Sequence, residues 1–342
     1  MPLKFLQSKS EAVLAPLGNI YASVVGSYLN ILKNKAVKIP LPVISVGNIS
    51  MGGTGKTPVC AFLAEYFAKK GKKPIILSRG YKSRPDSLPH LVNTHDDVGV
   101  CGDEPLLLAR SLSGKAEVVV DPRRLRAARW AMENLNPDIF ILDDGFQHVQ
   151  LKRDRDLVLL TPHDLEAGWN RVFPCGRWRE DEQSLERADM FLINLWGRRI
   201  EEIKYLVAKR PSLRQRPIYY LDVRVDGLKN IDSGEYAVNI HKRSYILISG
   251  VANSQKIVTS IGNFLGYTPH SHLPFPDHHD FGRESVKAII ALAKEAEADD
   301  VICTSKDAVK LKPIPGLRVW EIVARSRIMD GMEDRFWNRM AI

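Results

Sequence analysis

A chain of 342 residues, 44% hydrophobic and 26% charged, is long enough for two domains with separate cores and too apolar to stay disordered. The four cysteines, Cys60, Cys101, Cys175 and Cys303, lie far apart and form no C-x-x-C pair, which argues against a zinc knuckle or a disulfide framework and for a reducing, cytosolic setting. The formal charge of +9 suits an anionic partner, whether nucleic acid, an acidic membrane surface or a phosphorylated substrate, or else marks a basic surface of no special use.

The first predicted element spans residues 1–35. Val13, Leu17, Ile20, Tyr21, Val24, Val25, Tyr28, Leu29 and Leu32 recur at helical spacing, with Asn19, Ser23, Ser27 and Asn30 on the other side. Lys4, Lys9, Lys33, Lys35 and Lys38 flank this amphipathic helix. It either lies in a membrane interface with its lysines at anionic head groups, or packs on the protein's own core; both readings stay open. No signal-peptide pattern is expected, and no stretch reaches the roughly 18 consecutive apolar residues of a membrane span.

From Leu41 to about Leu160 strands and helices alternate. Strands are predicted at Pro42–Val46, Pro74–Leu77, Ala116–Val120, Ile139–Leu142 and Leu157–Leu160, and helices at Val59–Lys69, Glu104–Ser111 and Arg123–Asn134. That alternation implies a parallel sheet covered on both faces, with ligands at the carboxyl ends of its strands. The segment Ser50-Met51-Gly52-Gly53-Thr54-Gly55-Lys56-Thr57 stands in such a place, between a β-branched strand and a helix. Its glycines let the backbone approach an anion, and the helix start aims free N–H groups at it. Lys56 suits the β- and γ-phosphates and the Thr57 hydroxyl suits Mg²⁺, although Ser50 stands where the usual phosphate-loop pattern has glycine.

Other polar motifs follow the remaining strands. Ser78-Arg79-Gly80-Tyr81 comes after the second, Asp121-Pro122-Arg123-Arg124 after the third, and Asp143-Asp144-Gly145-Phe146-Gln147-His148 after the fourth. Asp143 and Asp144 are expected to hold Mg²⁺, because carboxylates at a buried strand end are costly unless paired or metal-bound. Phosphorylating a hydroxyl calls for an acceptor for its proton, and the candidates are Asp103 and the histidines of Asp277-His278-His279-Asp280. A competing reading groups His270, His272, His278 and His279 as a metal site.

Residues 163–180 read as loop, Met190–Leu195 as a strand, Pro211–Val225 as extended, and Asp226-Gly227 as a hairpin turn, with a domain crossing near 215–240. The second half restarts with a strand at Ser244–Ile248, a turn at Gly250–Ser254, a helix at Lys256–Leu265, a helix at Glu284–Ala296 and a strand at Asp300–Thr304.

Taken together, Gly47-Asn48 before the phosphate loop, Leu77–Tyr81, Gly102-Asp103-Glu104-Pro105, Asp143–His148, Gly176-Arg177-Trp178-Arg179-Glu180, Pro276–His279 and Lys306-Asp307-Ala308-Val309-Lys310 resemble the tetraacyldisaccharide 4'-kinase family, in order and nearly end to end. The resemblance implies ATP- and Mg²⁺-dependent phosphorylation of the 4'-hydroxyl of an acylated glucosamine disaccharide 1-phosphate, giving the bis-phosphorylated lipid A precursor. It implies an α/β fold: a mostly parallel sheet of the phosphate-loop NTPase type, flanked by helices, plus a smaller α/β/α domain. The expected division is a membrane-associating helix at 1–38, the kinase domain at 39–215, a two-stranded linker at 216–240 and the smaller domain at 241–342. Carried over by motif, Ser50 to Thr57 bind the nucleotide, Thr57, Asp143 and Asp144 serve Mg²⁺, and Asp103 is the base paired with His278, preferred over His279. Arg79, Arg124, Gln147, His148, Arg179 and Glu180 line the active site. Closure of the two domains is expected to bring His278 towards Asp103. The enzyme is expected at the cytoplasmic face of the bacterial inner membrane, with no nucleic acid and no obligate protein partner. Ser305 and Ala252 depart from the family's usual residues.

Two other classes compete. A nucleotide switch or partitioning ATPase also uses a Gly-Gly-x-Gly-Lys-Thr loop, but usually with a further lysine where this chain has Met51. A membrane-attached nucleic-acid binder fits the charge but lacks a module with interleaved aromatic and basic residues.

Overall fold

The computed structural model describes residues 2–240, 244–251 and 254–341, with side chains from residue 16 onward. The chain divides into two compact units, neither of them contiguous in sequence. The first comprises 1–79, 114–223 and 327–342; the second comprises 80–113 and 224–326. Gly80–Ser113, expected within a continuous kinase domain, thus packs with the second unit, and the last residues pack with the first.

The first unit is built on strands β1 (Val43–Asn48), β2 (Pro74–Ser78), β3 (Glu117–Val120), β4 (Ile139–Asp143), β5 (Arg155–Leu160), β6 (Met190–Asn194) and the start of β7 (Ile218–Asn230). Their order across the sheet is β7-β6-β5-β1-β4-β2-β3, and every pairing is parallel. β1, β2, β4 and β6 are buried along their whole length, as expected of strands covered on both faces. The helix Lys56–Lys69 buries Val59, Cys60, Leu63, Ala64 and Phe67, and Arg124–Asn134 buries Ala127, Ala128 and Ala131. The register sets Val46 beside Asp143, so the phosphate-loop turn and the acidic strand end leave the sheet side by side. Gly47 is required there: a Cβ at this position would lie 2.5 Å from the backbone nitrogen of Phe146.

The N-terminal helix, Pro2–Asn34, carries a wider apolar arc than one buried face. Tyr21 and Ala22 pack on the first unit's core and Leu29 is buried. Leu17, Ile20, Val24, Tyr28 and Ile31, on the adjoining side, are 52–63% exposed. The packing reading thus describes one part of the helix, and the apolar row beside it is left exposed. The side chains of Lys4, Lys9 and Val13 lie outside the described residues. No helix among the described residues is long and apolar enough to cross a membrane.

The second unit contains β8 (Tyr245–Ser249), β9 (Ser271–Pro274), β10 (Asp300–Thr304) and β11 (Arg318–Ile328), in the order β9-β8-β10-β11-β7. β8, β9, β10 and β11 pair in parallel. β7 and β11 are the strands whose residues belong partly to each unit. Asp226-Gly227 is not a turn: β7 runs through it, and the chain reverses after Asn230, so that Leu228 pairs with Ala237. Gly227 serves close approach, since a Cβ there would meet the Tyr236 hydroxyl at 2.2 Å. Ala252 and Asn253, in the predicted turn before the helix Ser254–Leu265, lie outside the described residues.

Candidate active site

The phosphate-loop segment has the backbone an anion site needs. Gly52 and Gly55 take φ of 106° and 95°, a region that favours glycine. Gly55 caps the helix Lys56–Lys69 with no side-chain hydrogen bond and with no acidic residue in the first turn. The first N–H groups of that helix are left for an external acceptor. Ser50 needs no glycine conformation; it is buried and bridges antiparallel to Trp178. Met51 donates its N–H to the Arg177 carbonyl at 2.7 Å, and its own carbonyl accepts from Arg177 Nη2 at 2.7 Å. A Cβ on Gly53 would meet nothing within 4 Å, so the loop is open on that side. The buried Thr54 carbonyl accepts from Asn194 Nδ2 at 3.2 Å, while its hydroxyl is buried without a partner. Lys56 Nζ donates to Asn48 Oδ1 at 3.1 Å and lies 3.5 Å from Asp144 Oδ1. Thr57 sits in the first helical turn, partly exposed.

Asp143 and Asp144 carry opposite responses to the same surroundings. Asp143 is buried, and accepts from Ser78 Oγ at 3.1 Å and weakly from Cys60 Sγ at 3.7 Å. Burial, reinforced by the charge of Asp144, pushes its carboxyl above the ordinary range. Burial works the same way on Asp144, but Lys56 and then Arg179 outweigh it and hold that carboxyl below the ordinary range. Arg179 Nη1 donates to both Asp144 oxygens at 3.0 Å and to Gln147 Oε1 at 3.0 Å. The Thr57 hydroxyl and these two carboxylates are hard oxygen donors, and a divalent cation at the pair would offset the repulsion that raises Asp143. The set fits Mg²⁺ held by a few protein oxygens together with phosphate.

The remaining residues expected in the first unit form one network. Gln147 Nε2 donates to the Asn48 carbonyl at 3.2 Å and to Glu180 Oε1 at 3.0 Å; Arg187 Nη2 also donates to that oxygen, at 2.8 Å. Arg124 is buried, donates to the Asp143 carbonyl at 3.2 Å, and is pushed down to about 10 by burial. Burial, then Arg124 and Arg153, lower His148 to about 4, and its Nε2 is buried without a partner. Arg79 follows β2, exposed.

Asp103 and His278 both belong to the second unit. Asp103 opens the helix Asp103–Ser111 and is buried. Its Oδ1 accepts from the Glu104 N–H at 3.0 Å, and its Oδ2 meets His278 Nδ1 at 2.8 Å. This corrects the expectation that domain closure unites the pair: one unit holds them already bonded, because Gly80–Ser113 packs with it. His279 is engaged elsewhere, at 2.8 Å from Ser285 Oγ and stacked on Phe275. His272 meets Ser249 and His270 meets Ser271, so the histidines do not converge, and no group of three or more metal-ligating side chains occurs among the described residues.

Asn194 and Arg187, which help tie the loop and its neighbours together, carried no signal in the sequence, because each acts through the fold's register; Asn48 and Arg177 stood in motifs of the resemblance but were given no role. Asn48, next to the loop glycines, offered the nearest signal.

Known proteins share this sequence and this fold. The family model described as tetraacyldisaccharide-1-P 4'-kinase matches residues 10–341. A tetraacyldisaccharide 4'-kinase from Nitratidesulfovibrio vulgaris is 35% identical over 94% of this chain and 90% of its own length. One from Oleidesulfovibrio alaskensis is 38% identical, covering 93% of this chain and 88% of its own. The solved structure of LpxK from Aquifex aeolicus in complex with ATP is similar with a TM-score of 0.76 and 28% identity, over 97% of this chain and 99% of that one.

The lowered His148 gives a pH dependence with a definite sign. The unfolded chain binds this proton near 6.5 and the folded one only near 4, so folding stability rises with pH across that window. Urea unfolding followed from pH 7 to pH 4 should lose stability more steeply in the wild type than in His148→Gln; equal slopes contradict the assignment.

Proposed function

The chain belongs to the tetraacyldisaccharide 4'-kinase family, and we propose that its residues share out that family's reaction between the two clusters described above. The activity is ATP-dependent phosphorylation of the 4'-hydroxyl of a tetraacyldisaccharide 1-phosphate, a step of lipid A biosynthesis, with ATP and Mg²⁺ as cofactors. The observation that carries the residue assignment is the 2.8 Å contact between Asp103 and His278, an oriented carboxylate of the kind an acceptor hydroxyl requires.

In this reading Ser50–Thr57 cradle the phosphates through backbone N–H groups, and Lys56 moves from Asn48 and Asp144 onto the β- and γ-phosphates. Thr57, Asp143 and Asp144 hold Mg²⁺, which when bound spreads the charge of the phosphates. Arg179 and Gln147 keep Asp144 oriented, and Glu180 with Arg187 holds Gln147. Arg79 and Arg124 complete the positive lining, and His148 lies with them as a neutral ring at pH 7. The 4'-hydroxyl gives its proton to Asp103 as its oxygen bonds to the γ-phosphorus. The bond from that phosphorus to the bridging oxygen breaks, and ADP leaves with the electron pair. The His278 ring holds Asp103 in place throughout.

The exposed apolar row Leu17, Ile20, Val24, Tyr28 and Ile31, with exposed Lys33 and Lys35 at the helix end, supports attachment to the cytoplasmic face of the bacterial inner membrane without crossing it. The acyl chains of the substrate and the ATP supply both meet the enzyme there.

Replacing Asp103 with Ala should slow transfer by roughly 10²–10⁴-fold while ATP affinity stays within about twofold. Loss of ATP binding instead would move Asp103 to the nucleotide site. Changing Leu17, Ile20, Val24 and Tyr28 together to Ser should release the protein from vesicles of anionic phospholipid in a flotation assay; unchanged flotation would sink the membrane reading.

A further inference from the structure

Met51 stands where the phosphate loops of partitioning ATPases carry a second lysine, and in the fold a cation from a distant part of the chain lies against it. We propose that Arg177 is a further catalytic residue of this chain: it supplies the phosphate loop with its second cation and contacts the terminal phosphate of ATP. The proposal deepens the kinase reading above and rests on it for its catalytic meaning.

The place of Arg177 is built into the backbone. The Met51 N–H donates to the Arg177 carbonyl and the Arg179 N–H to the Ile49 carbonyl, each at 2.7 Å, and Ser50 bridges antiparallel to Trp178 between them. Trp178 is fully buried, and its indole N–H donates to Asp164 Oδ1 at 3.2 Å. Asp164 is fixed in turn by the Thr161 N–H at 2.8 Å and the Thr161 hydroxyl at 2.6 Å. Arg177 and Arg179, two residues apart in an extended segment, line the same side of it. Arg179 holds Asp144, and Arg177 lies on the phosphate loop.

Arg177 Nη2 donates to the Met51 carbonyl at 2.7 Å, and a Cβ on Gly52 would collide with it. Gly52 therefore serves twice, through its φ of 106° and through the room it leaves for the guanidinium. Lys56, Arg179 and Arg187 each face a carboxylate, Asp144 or Glu180. The Met51 carbonyl, by contrast, is neutral: it occupies one of five N–H donors and cancels none of the charge. The Arg177 side chain is exposed, and the loop is open at Gly53.

The helix start and Lys56 serve the phosphates nearest the helix. Transfer spreads charge over the three outer oxygens of the terminal phosphoryl group, which a planar guanidinium meets with two N–H groups at once. Lys56 is a point charge shared with Asp144, 3.5 Å away. Arg177 approaches from the other end of the loop with its charge uncommitted.

The test titrates full-length protein in detergent by calorimetry, with the β,γ-imido analogue of ATP and separately with ADP, each with Mg²⁺. In Arg177→Met the analogue should bind roughly ten- to hundredfold more weakly, as expected for a lost charge-assisted contact, while ADP stays within about twofold. The kcat of transfer should fall by at least about tenfold. Arg177→Lys, which keeps a cation, should recover most of the loss. Adding Met51→Lys to Arg177→Met should restore the preference for the triphosphate, since Met51 is 37% exposed and has room for the longer chain. Unchanged affinity for the analogue overturns the proposal. So does equal weakening of both nucleotides, which would mean that Arg177 only props the Met51 carbonyl. Binding needs no glycolipid. A wild type that transfers no phosphate would therefore overturn the kinase reading, while the two affinities still decide what Arg177 touches.

Discussion

The structure of the first unit depends on a helix that starts without satisfying its own N–H groups. Gly55 supplies the backbone angle that begins the helix but no capping oxygen, and the first turn has no carboxylate. Those donors and the helix dipole favour an anion at that spot. The groups nearby cluster around that helix start. Lys56 waits on Asn48 and Asp144, and the residues 171–180 loop is laced to the turn through Arg177, Trp178 and Arg179.

The same constraint explains why two adjacent carboxylates are tolerated at a buried strand end. Asp143 is disfavoured as an anion and Asp144 favoured, because Lys56 and Arg179 face Asp144 while Asp143 is enclosed between β1, β2 and the helix Lys56–Lys69. Such a pair is costly in an apolar site and becomes favourable when a cation and phosphate arrive together. The second unit uses the opposite arrangement, one buried carboxylate encircled by donors: the His278 ring, the Glu104 N–H and Lys310.

Much of this was legible in the residues. The alternation of β-branched runs and helical spacing gives the parallel sheet, because strands buried on both faces read as continuous apolar segments. Motifs after predicted strands picked out Lys56, Asp143 and Asp144, which the first unit sets close together. What failed was long-range. Nothing local marks Gly80–Ser113 as part of the second unit, and hence that Asp103 and His278 share one unit. Asp226-Gly227 has turn chemistry, yet the glycine is there for the Tyr236 ring. The helix Ile200–Ala208, strand β11 and the helix Glu333–Met340 were not predicted, although Trp337 stacks on Tyr66 at 3.6 Å between centroids. Lys306 and Lys310 appeared only as part of a motif, since what they touch, the His278 ring and the His279 carbonyl, lies about thirty residues away. The N-terminal helix was ambiguous because its apolar arc serves two surfaces, one packed and one exposed.

The central claim is that this chain moves the γ-phosphoryl group of ATP to one hydroxyl of an acylated glucosamine disaccharide 1-phosphate. The direct measurement incubates purified protein with γ-labelled ATP, Mg²⁺ and that glycolipid in mixed micelles, and locates the label by mass spectrometry and NMR. The account predicts one labelled phosphate per disaccharide, on the 4'-oxygen. Label recovered only as inorganic phosphate, with the glycolipid unchanged, would contradict it and leave a nucleotide hydrolase.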